Sequence, residues 1–455
     1  MNLRLATFAA DITTPIGHPL MFGGILPARE IVDSQLAKGI ILKWGDEPPV
    51  VLIALDWCEI RNEGHDQWRD AVANAVGTSR ERVILSCVHQ HAAMYADPEA
   101  EKRLKSSGCP TSSMDIGFFN AKCAEVADAA RKAAQGEWSE IDGIGHGQAE
   151  VQQVASNRRI KGPDGKLLPM RTSACDDPVL RAQPEGLIDP FLRAISFWSG
   201  DQFVAVLYYY ATHPMSYYRD GGVSKDFCGL ARESMEDVGG FHLYFTGCAG
   251  NIAAGKYNDG SAEMRTVLKE RVESAMWNAL YRSGVDPDSK ITIDLPSGPK
   301  QFHTRARLSP VKTLQFESIP VRLPTREEFT DEWYSNLLND STATHNIRYR
   351  GAAGLTWRNR VKQGATIDFS CLAINDIRIL QLPGEPFVEY QLYAQQQRPD
   401  LFVAVAGYGD CGPGYIPVES AYAEGGYEAG PPSLVAPAAD RVMRESIDKL
   451  LQLAG

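Results

Sequence analysis

Short apolar runs rich in β-branched residues alternate along this chain with stretches whose apolar residues recur every three to four positions. Runs of the first kind predict strands over 39–42, 50–54, 83–87, 203–210, 242–245, 373–380 and 402–407. Stretches of the second kind predict helices over 66–76, 118–134, 229–238, 261–281, 326–338, 385–396 and 436–453. Most of the strand runs are continuously apolar and do not alternate, which is what a sheet covered on both faces requires. The expected fold class is α/β, with mixed buried β-sheets flanked by helices.

Two stretches break the rhythm. Residues 150–195 carry charge, Gly and Pro, as in Lys161-Gly-Pro-Asp-Gly-Lys166, and are expected to form a surface loop or hairpin. Residues 285–325 show little helical pattern and read as a connecting excursion. There is no internal repeat and no low-complexity tract, so 1–455 is read as one large domain.

Composition narrows the function classes. The 455 residues are 44% hydrophobic, 23% charged and 9% aromatic, which is ordinary for a globular protein and excludes a disordered chain. Lys and Arg number 46 against 57 Asp and Glu, a formal charge of -11, so no nucleic-acid partner is expected. The longest apolar runs, 50–55 and 203–210, fall far short of the ~18–20 residues that span a bilayer, and no stable membrane association is expected. The nine cysteines are odd in number, scattered and without a C-x-x-C pair, the pattern of reduced thiols. With Asp11 arriving before any signal-like apolar run, a cytoplasmic location is expected.

Four segments could carry chemistry. Ile84-Leu-Ser-Cys-Val-His89-Gln-His91 puts two histidines two apart after a strand, where i and i+2 face one side. That pattern fits a metal site, and it equally fits two surface histidines at a strand end. Tyr208-Tyr-Tyr-Ala-Thr-His213-Pro214 places another histidine after a strand, held extended by the proline. In Leu382-Pro-Gly-Glu385-Pro, Glu385 would lie in the first turn of a helix, as ligand or as cap. The glycine-rich stretch 407–428 contains Tyr415, Tyr422 and Tyr427, for close approach to a ligand or for aromatic packing. Together they supply two or three His, a Glu and a Tyr, a nitrogen–oxygen set suited to zinc.

In this order the segments resemble the catalytic domain of the neutral/alkaline (non-lysosomal) ceramidases. The resemblance runs through Ala10-Asp11-Ile12-Thr13 with Pro15, Gly23-Gly24, Val51–Asp56, Ser86-Cys-Val-His89-Gln-His91, Asn157-Arg158, Ala211-Thr-His213-Pro214, Asp226 with Gly229 and Ala231, Pro383-Gly384-Glu385, and Tyr415-Ile-Pro with Tyr422 and Tyr427-Glu428. It implies one zinc per chain, held by His89, His213, Glu385 and Tyr415, with the neighbouring Tyr422 and Tyr427 as the other tyrosine choices. It implies a catalytic set of His91, Tyr427 and Arg158, with His91 as proton donor to a leaving amine.

Three departures shape the expected substrate. Where the family has a Ser-containing Gly-Asp-x-Ser-Pro-Asn stretch, this chain reads Phe245-Thr-Gly-Cys248-Ala-Gly-Asn251, which favours metal-activated water over a serine mechanism. Cys248 is then either a substitute nucleophile or, as small buried cysteines usually are, inert. The C-terminal β-domain and the secretion signal of the secreted enzymes are not expected, so the substrate is read as a soluble small molecule and not ceramide. The expectation is a zinc-dependent hydrolase of an amide (N-acyl) bond. The alternatives are a metal-dependent enzyme acting on a carbohydrate ester or glycosidic bond, with Asn157, Arg158, Arg159 and Asp226 binding the sugar, and a metal-containing binding protein without catalysis. Tyr217, Tyr218, Trp357 and Tyr408 are read as pocket lining or core. The sequence sets no oligomeric state.

Overall fold

The run Val-Val-Leu-Ile-Ala-Leu offers no polar side chain to water, and it forms a strand, Val50–Leu55, buried at every residue. In this computed structural model, which describes residues 2–284, 291–295, 298–302 and 308–453, that strand belongs to a five-stranded sheet. Its order is Val83–Cys87, Val50–Leu55, Leu36–Trp44, Leu3–Asp11 and Ser139–Ile141. A second five-stranded sheet runs Phe241–Thr246, Gln202–Tyr210, Phe191–Ser199, Gly143–Glu150 and Ser309–Pro310. A third has four strands, Leu314–Val321, Ile367–Ile374, Ile377–Gln381 and Phe402–Ala406. The fold is mixed α/β, with helices covering the sheets.

Each sheet is mostly antiparallel but contains one parallel pair. These are Val50–Leu55 with Val83–Cys87, Gln202–Tyr210 with Phe241–Thr246, and Ile377–Gln381 with Phe402–Ala406. A parallel pair needs a crossover, and the helices Asn62–Val76, Asp226–Met235 and Val388–Gln397 lie in the three crossovers. The carboxyl ends of the three pairs meet and are stitched together. The Cys87 N–H donates to the Tyr408 carbonyl at 2.9 Å, the Gly407 N–H to the Thr246 carbonyl at 2.9 Å, and the Thr246 hydroxyl to the Val88 carbonyl at 2.6 Å. Open α/β sheets place ligands at such strand ends. The largest apolar core spans the first two sheets, and a second lies under the third sheet against the helix Ala439–Leu453.

Several elements differ from the sequence expectation, each for a local reason. The run 373–380 is a hairpin of two strands, because Asn375-Asp376 turn between Ile374 and Ile377, with Asn375 at φ +50°. The helix expected from 385 begins at Val388; Pro386 disfavours helical backbone at Glu385, and Glu385–Pro386 pairs as a short parallel strand with Tyr415–Ile416. The helix-dipole role read for Glu385 is therefore corrected.

The segment 150–195 is also more than a surface loop. Its last part is the strand Phe191–Ser199, and the fully buried Arg171 gathers the rest by donating to the carbonyls of Asn157, Leu180, Gln183, Pro184 and Glu185 at 2.9–3.2 Å. Of the excursion 285–325, part lies outside the described residues, and Leu314–Val321 is an edge strand of the third sheet. The helix His345–Lys362 has no clear apolar period, yet it packs tightly on Asp331–Asn339. A Cβ at Gly351 would stand 2.5 Å from the Leu338 nitrogen, so this approach requires glycine. Among the described residues no helix is long and apolar enough to cross a membrane.

Candidate metal centre

Two residues beyond the strand Val83–Cys87 the chain turns, with His89 at φ +74°. The convergence of His89 and His91 therefore comes from a loop and not from strand alternation, which corrects the geometric reading of that pair. His213 follows Gln202–Tyr210, and Glu385 follows Ile377–Gln381. Each of the three sheets thus delivers one side chain to the same point. The Gly384–Glu385 backbone enters against Gly250, where a Cβ would stand 2.3 Å from the Glu385 carbonyl oxygen.

At that point Glu385 Oε2 lies 3.1 Å from His89 Nε2 and 3.2 Å from His213 Nε2. The three residues are 4%, 1% and 0% exposed, and none of these three atoms has a hydrogen-bond partner in satisfactory geometry. Buried polar atoms are seldom left so. The other ring nitrogens are fully used. His89 Nδ1–H donates to the Cys58 carbonyl at 3.0 Å, and His213 Nδ1–H to the Ala249 and Ile252 carbonyls at 2.8 and 2.9 Å. A carbonyl only accepts, so in the neutral imidazoles it is Nε2 that presents its lone pair to the shared point. Two such lone pairs and a carboxylate oxygen, buried and mutually facing, are a donor set that could hold a metal ion.

Without an ion the charges of the trio act on one another. Although burial opposes both shifts, His89, aided by His213, holds the Glu385 carboxyl well below its ordinary range, and Glu385 in turn raises His89. Burial, aided by the Arg158 charge, pushes His213 down to about 4. Burial and the two neighbouring histidines also push His91 down. A second grouping, Cys58 with His89 and His91, lies within ligand reach of one another, but burial raises the Cys58 thiol well above its ordinary value and keeps it protonated.

The other expected residues surround the trio. Tyr415 pairs backbone to backbone with Glu385, and its side chain meets Arg158, whose guanidinium stands 5.4 Å from the ring. Tyr427, 48% exposed, sets its ring edge-on to Tyr415 at 5.7 Å. Tyr422 turns away, its hydroxyl bonded to the Val435 carbonyl at 2.8 Å. Arg158 is buried and engaged, with Glu428 at 3.0 Å and the Gly250 carbonyl at 2.7 Å. His91 lies 4.8 Å from His89 ring to ring, with Tyr218 edge-on at 5.3 Å. Tyr408 stacks on His89, while Tyr217 packs on Arg265 and Trp357 lies in the second core. Asn157 and Asp226 serve local structure, bonded to the Leu187 carbonyl and the Ser216 N–H. Arg159 is tied to Glu424 and Glu428. Cys248 is fully buried.

In front of the trio opens a cavity of about 330 Å³, lined by His89, His91, Glu385, Tyr415 and Tyr427 and also by Arg61, Tyr95, Tyr349 and Arg350. A larger hollow of about 800 Å³ shares Tyr427 as a wall but contains none of the histidines; the smaller one borders the trio. Sequence reading missed Arg61, Tyr95, Tyr349 and Arg350. Arg61 sits just before the helix Asn62–Val76, and Tyr349 and Arg350 ride on a helix with no apolar signature.

No protein-family model matches the chain, and no curated protein sequence does. Solved structures do. A ceramidase described as complexed with C2 superposes with a TM-score of 0.67 at 15% identity, over 99% of this chain and 75% of that one. The neutral ceramidase of Pseudomonas aeruginosa superposes with a TM-score of 0.64 at 15% identity, over 100% of this chain and 75% of that one. The chain has the neutral ceramidase fold. At this identity the likeness concerns the course of the backbone.

Proposed function

We propose that this chain is a zinc-dependent hydrolase that cleaves the amide bond of a soluble N-acyl substrate. The observation that carries this reading is the buried trio: His89 Nε2, His213 Nε2 and Glu385 Oε2, facing one another at 3.1–3.2 Å with none of the three in a well-aligned hydrogen bond. His89, His213 and Glu385 would hold the ion, with the Tyr415 hydroxyl as fourth ligand. Zinc, when bound, supplies a Lewis acid that makes water a competent nucleophile near neutral pH.

The chain's own groups do the rest. His91 Nδ1–H is fixed on the His89 carbonyl at 3.2 Å, leaving its Nε2 as a base on the cavity side. That nitrogen takes a proton from the attacking water and returns it to the departing amine, which must leave protonated. The Tyr427 hydroxyl, at the cavity rim, donates to the oxygen that gains charge as the carbonyl is attacked. Arg158 holds the Tyr415 side chain in place while Glu428 balances its charge. The fold shared with ceramidases supports amide as the bond class. The cavity volume, near the lower end of the ~300–1,000 Å³ usual for small-molecule sites, supports a compact substrate.

The test is release of free amine from a panel of N-acyl compounds by zinc-loaded protein, with His91→Ala as control. Turnover lost by about 100-fold or more in that variant supports the reading. Stoichiometric zinc without release from any member contradicts the catalytic part.

A further inference from the structure

The lining of the cavity at the trio carries an unexpected charge. The chain as a whole is acidic, at -11, yet three arginines, Arg61, Arg219 and Arg350, line a cavity whose only carboxylates among the described residues are Glu59 and Glu385. Glu385 is committed to the histidines.

Arg61 is 7% exposed and lies over the Tyr95 ring at 4.9 Å. Its Nε donates to Glu59 at 2.6 Å, and its two terminal nitrogens make no hydrogen bond among the described residues. Asp97, the other carboxylate near it, is occupied by the Ala100 N–H and the Asn62 amide. Glu59 balances the charge of this guanidinium, whose two terminal nitrogens, without a protein acceptor among the described residues, remain as donors for a ligand in the cavity. Arg350 is half-buried and has no hydrogen-bond or ion-pair partner among the described residues. It shares one helix face with Asn346, Tyr349 and Ala353, all of which border the cavity. Arg219, hydrogen-bonded to the Tyr218 hydroxyl at 3.0 Å, stands exposed at the rim.

We propose that the substrate carries a carboxylate near its scissile amide, and that Arg61 and Arg350 bind it in the cavity that the trio borders. Guanidinium forks match a carboxylate with paired, charge-assisted bonds. The substrate class is an N-acyl amino acid or an amide of a dicarboxylic acid, which differ only in the side of the amide that bears the carboxylate. This rests on the hydrolase reading for turnover but not for binding.

The experiment compares zinc-loaded wild type with Arg350→Gln. Arg350 is chosen because Arg61 truncation would strand Glu59 in the interior. The probes are octanoylglycine against octanoylglycinamide, and succinic monoanilide against its methyl ester. Wild type is expected to prefer at least one acid over its neutral counterpart by about 30-fold or more in kcat/KM, and Arg350→Gln to cut that preference about tenfold, the loss of one charge-assisted interaction. Neutral compounds cleaved as fast as the acids would overturn the carboxylate site while leaving the hydrolase intact. If no probe is cleaved, the hydrolase reading fails for these compounds and calorimetry decides the site. Octanoylglycine bound about tenfold more weakly by Arg350→Gln supports it. Equal binding by both proteins means the metal alone holds the carboxylate, and overturns it.

Discussion

The Tyr408 ring lies against the His89 imidazole, centroids 4.2 Å apart and planes 27° from parallel. Tyr408 has φ +55° and is fully buried, and its hydroxyl has no hydrogen-bond partner. The ring therefore braces the His89 imidazole while the hydroxyl contributes little to folding. Tyr408→Phe should change stability by less than about 1 kcal/mol, since it removes an unsatisfied polar atom. Tyr408→Ala should cost about 3–5 kcal/mol and weaken metal binding roughly tenfold by freeing the imidazole. Denaturant melts and zinc titration of both variants check this.

Asp56, part of the apolar segment 51–56 that the sequence singles out, accepts both terminal nitrogens of Arg232 at 2.8 and 2.9 Å, with both side chains almost wholly inaccessible. Its role is structural. Asp56→Asn leaves Arg232 charged and underpaired and should cost about 3–5 kcal/mol. Glu445→Gln, which loosens the exposed Arg441–Glu445 pair, should cost well under about 1 kcal/mol. Chemical denaturation distinguishes the two, and equal effects would contradict the burial argument.

Burial pushes His65 and His242 down to about 4. His65 Nε2–H donates to the Leu85 carbonyl and its Nδ1 has no partner, so a second proton would have no acceptor to bind. In the unfolded chain each histidine titrates near its ordinary 6.5. Between that value and about 4 the unfolded chain binds more protons, so stability falls as pH drops through this window and levels off below it. Each residue should contribute about 3 kcal/mol to that loss. Urea midpoints of metal-free protein from pH 7 to 4 should show the slope, and His65→Gln should flatten it. A pH-independent midpoint would contradict the assignment.

Cys248 is packed in the apolar cluster under the third sheet, its N–H bonded to the Gln391 side chain at 3.0 Å, and burial pushes its thiol well up. A buried, protonated thiol is a poor nucleophile. Cys248→Ala should keep turnover within about twofold and cost about 1 kcal/mol of stability. Loss of turnover with folding and metal content retained would restore a nucleophilic role.

Sequence pattern located what is apolar and local. The run 83–87 is a strand because every residue in it is buried, and the helix 118–134 is recovered within two residues at its start and one at its end as Ile116–Gln135. Glu385 shows the limit. Its residue type and its place after a strand were legible, but its short strand exists only through pairing with Tyr415, a contact thirty residues away in sequence that no local propensity encodes. Tyr349 and Arg350 were invisible for the same reason: a polar, glycine-containing helix acquires its meaning from the close approach at Gly351 and from the cavity it faces.

The proposed joint role of His89, His213 and Glu385 in binding one metal ion is tested by elemental analysis of untagged protein, purified without chelators and then offered zinc, repeated on His213→Ala and Glu385→Gln. Wild type should carry about one zinc per chain and either variant less than about a tenth of that, with folding retained by circular dichroism. Wild type that takes up no metal, or a variant that keeps its full complement, would contradict it.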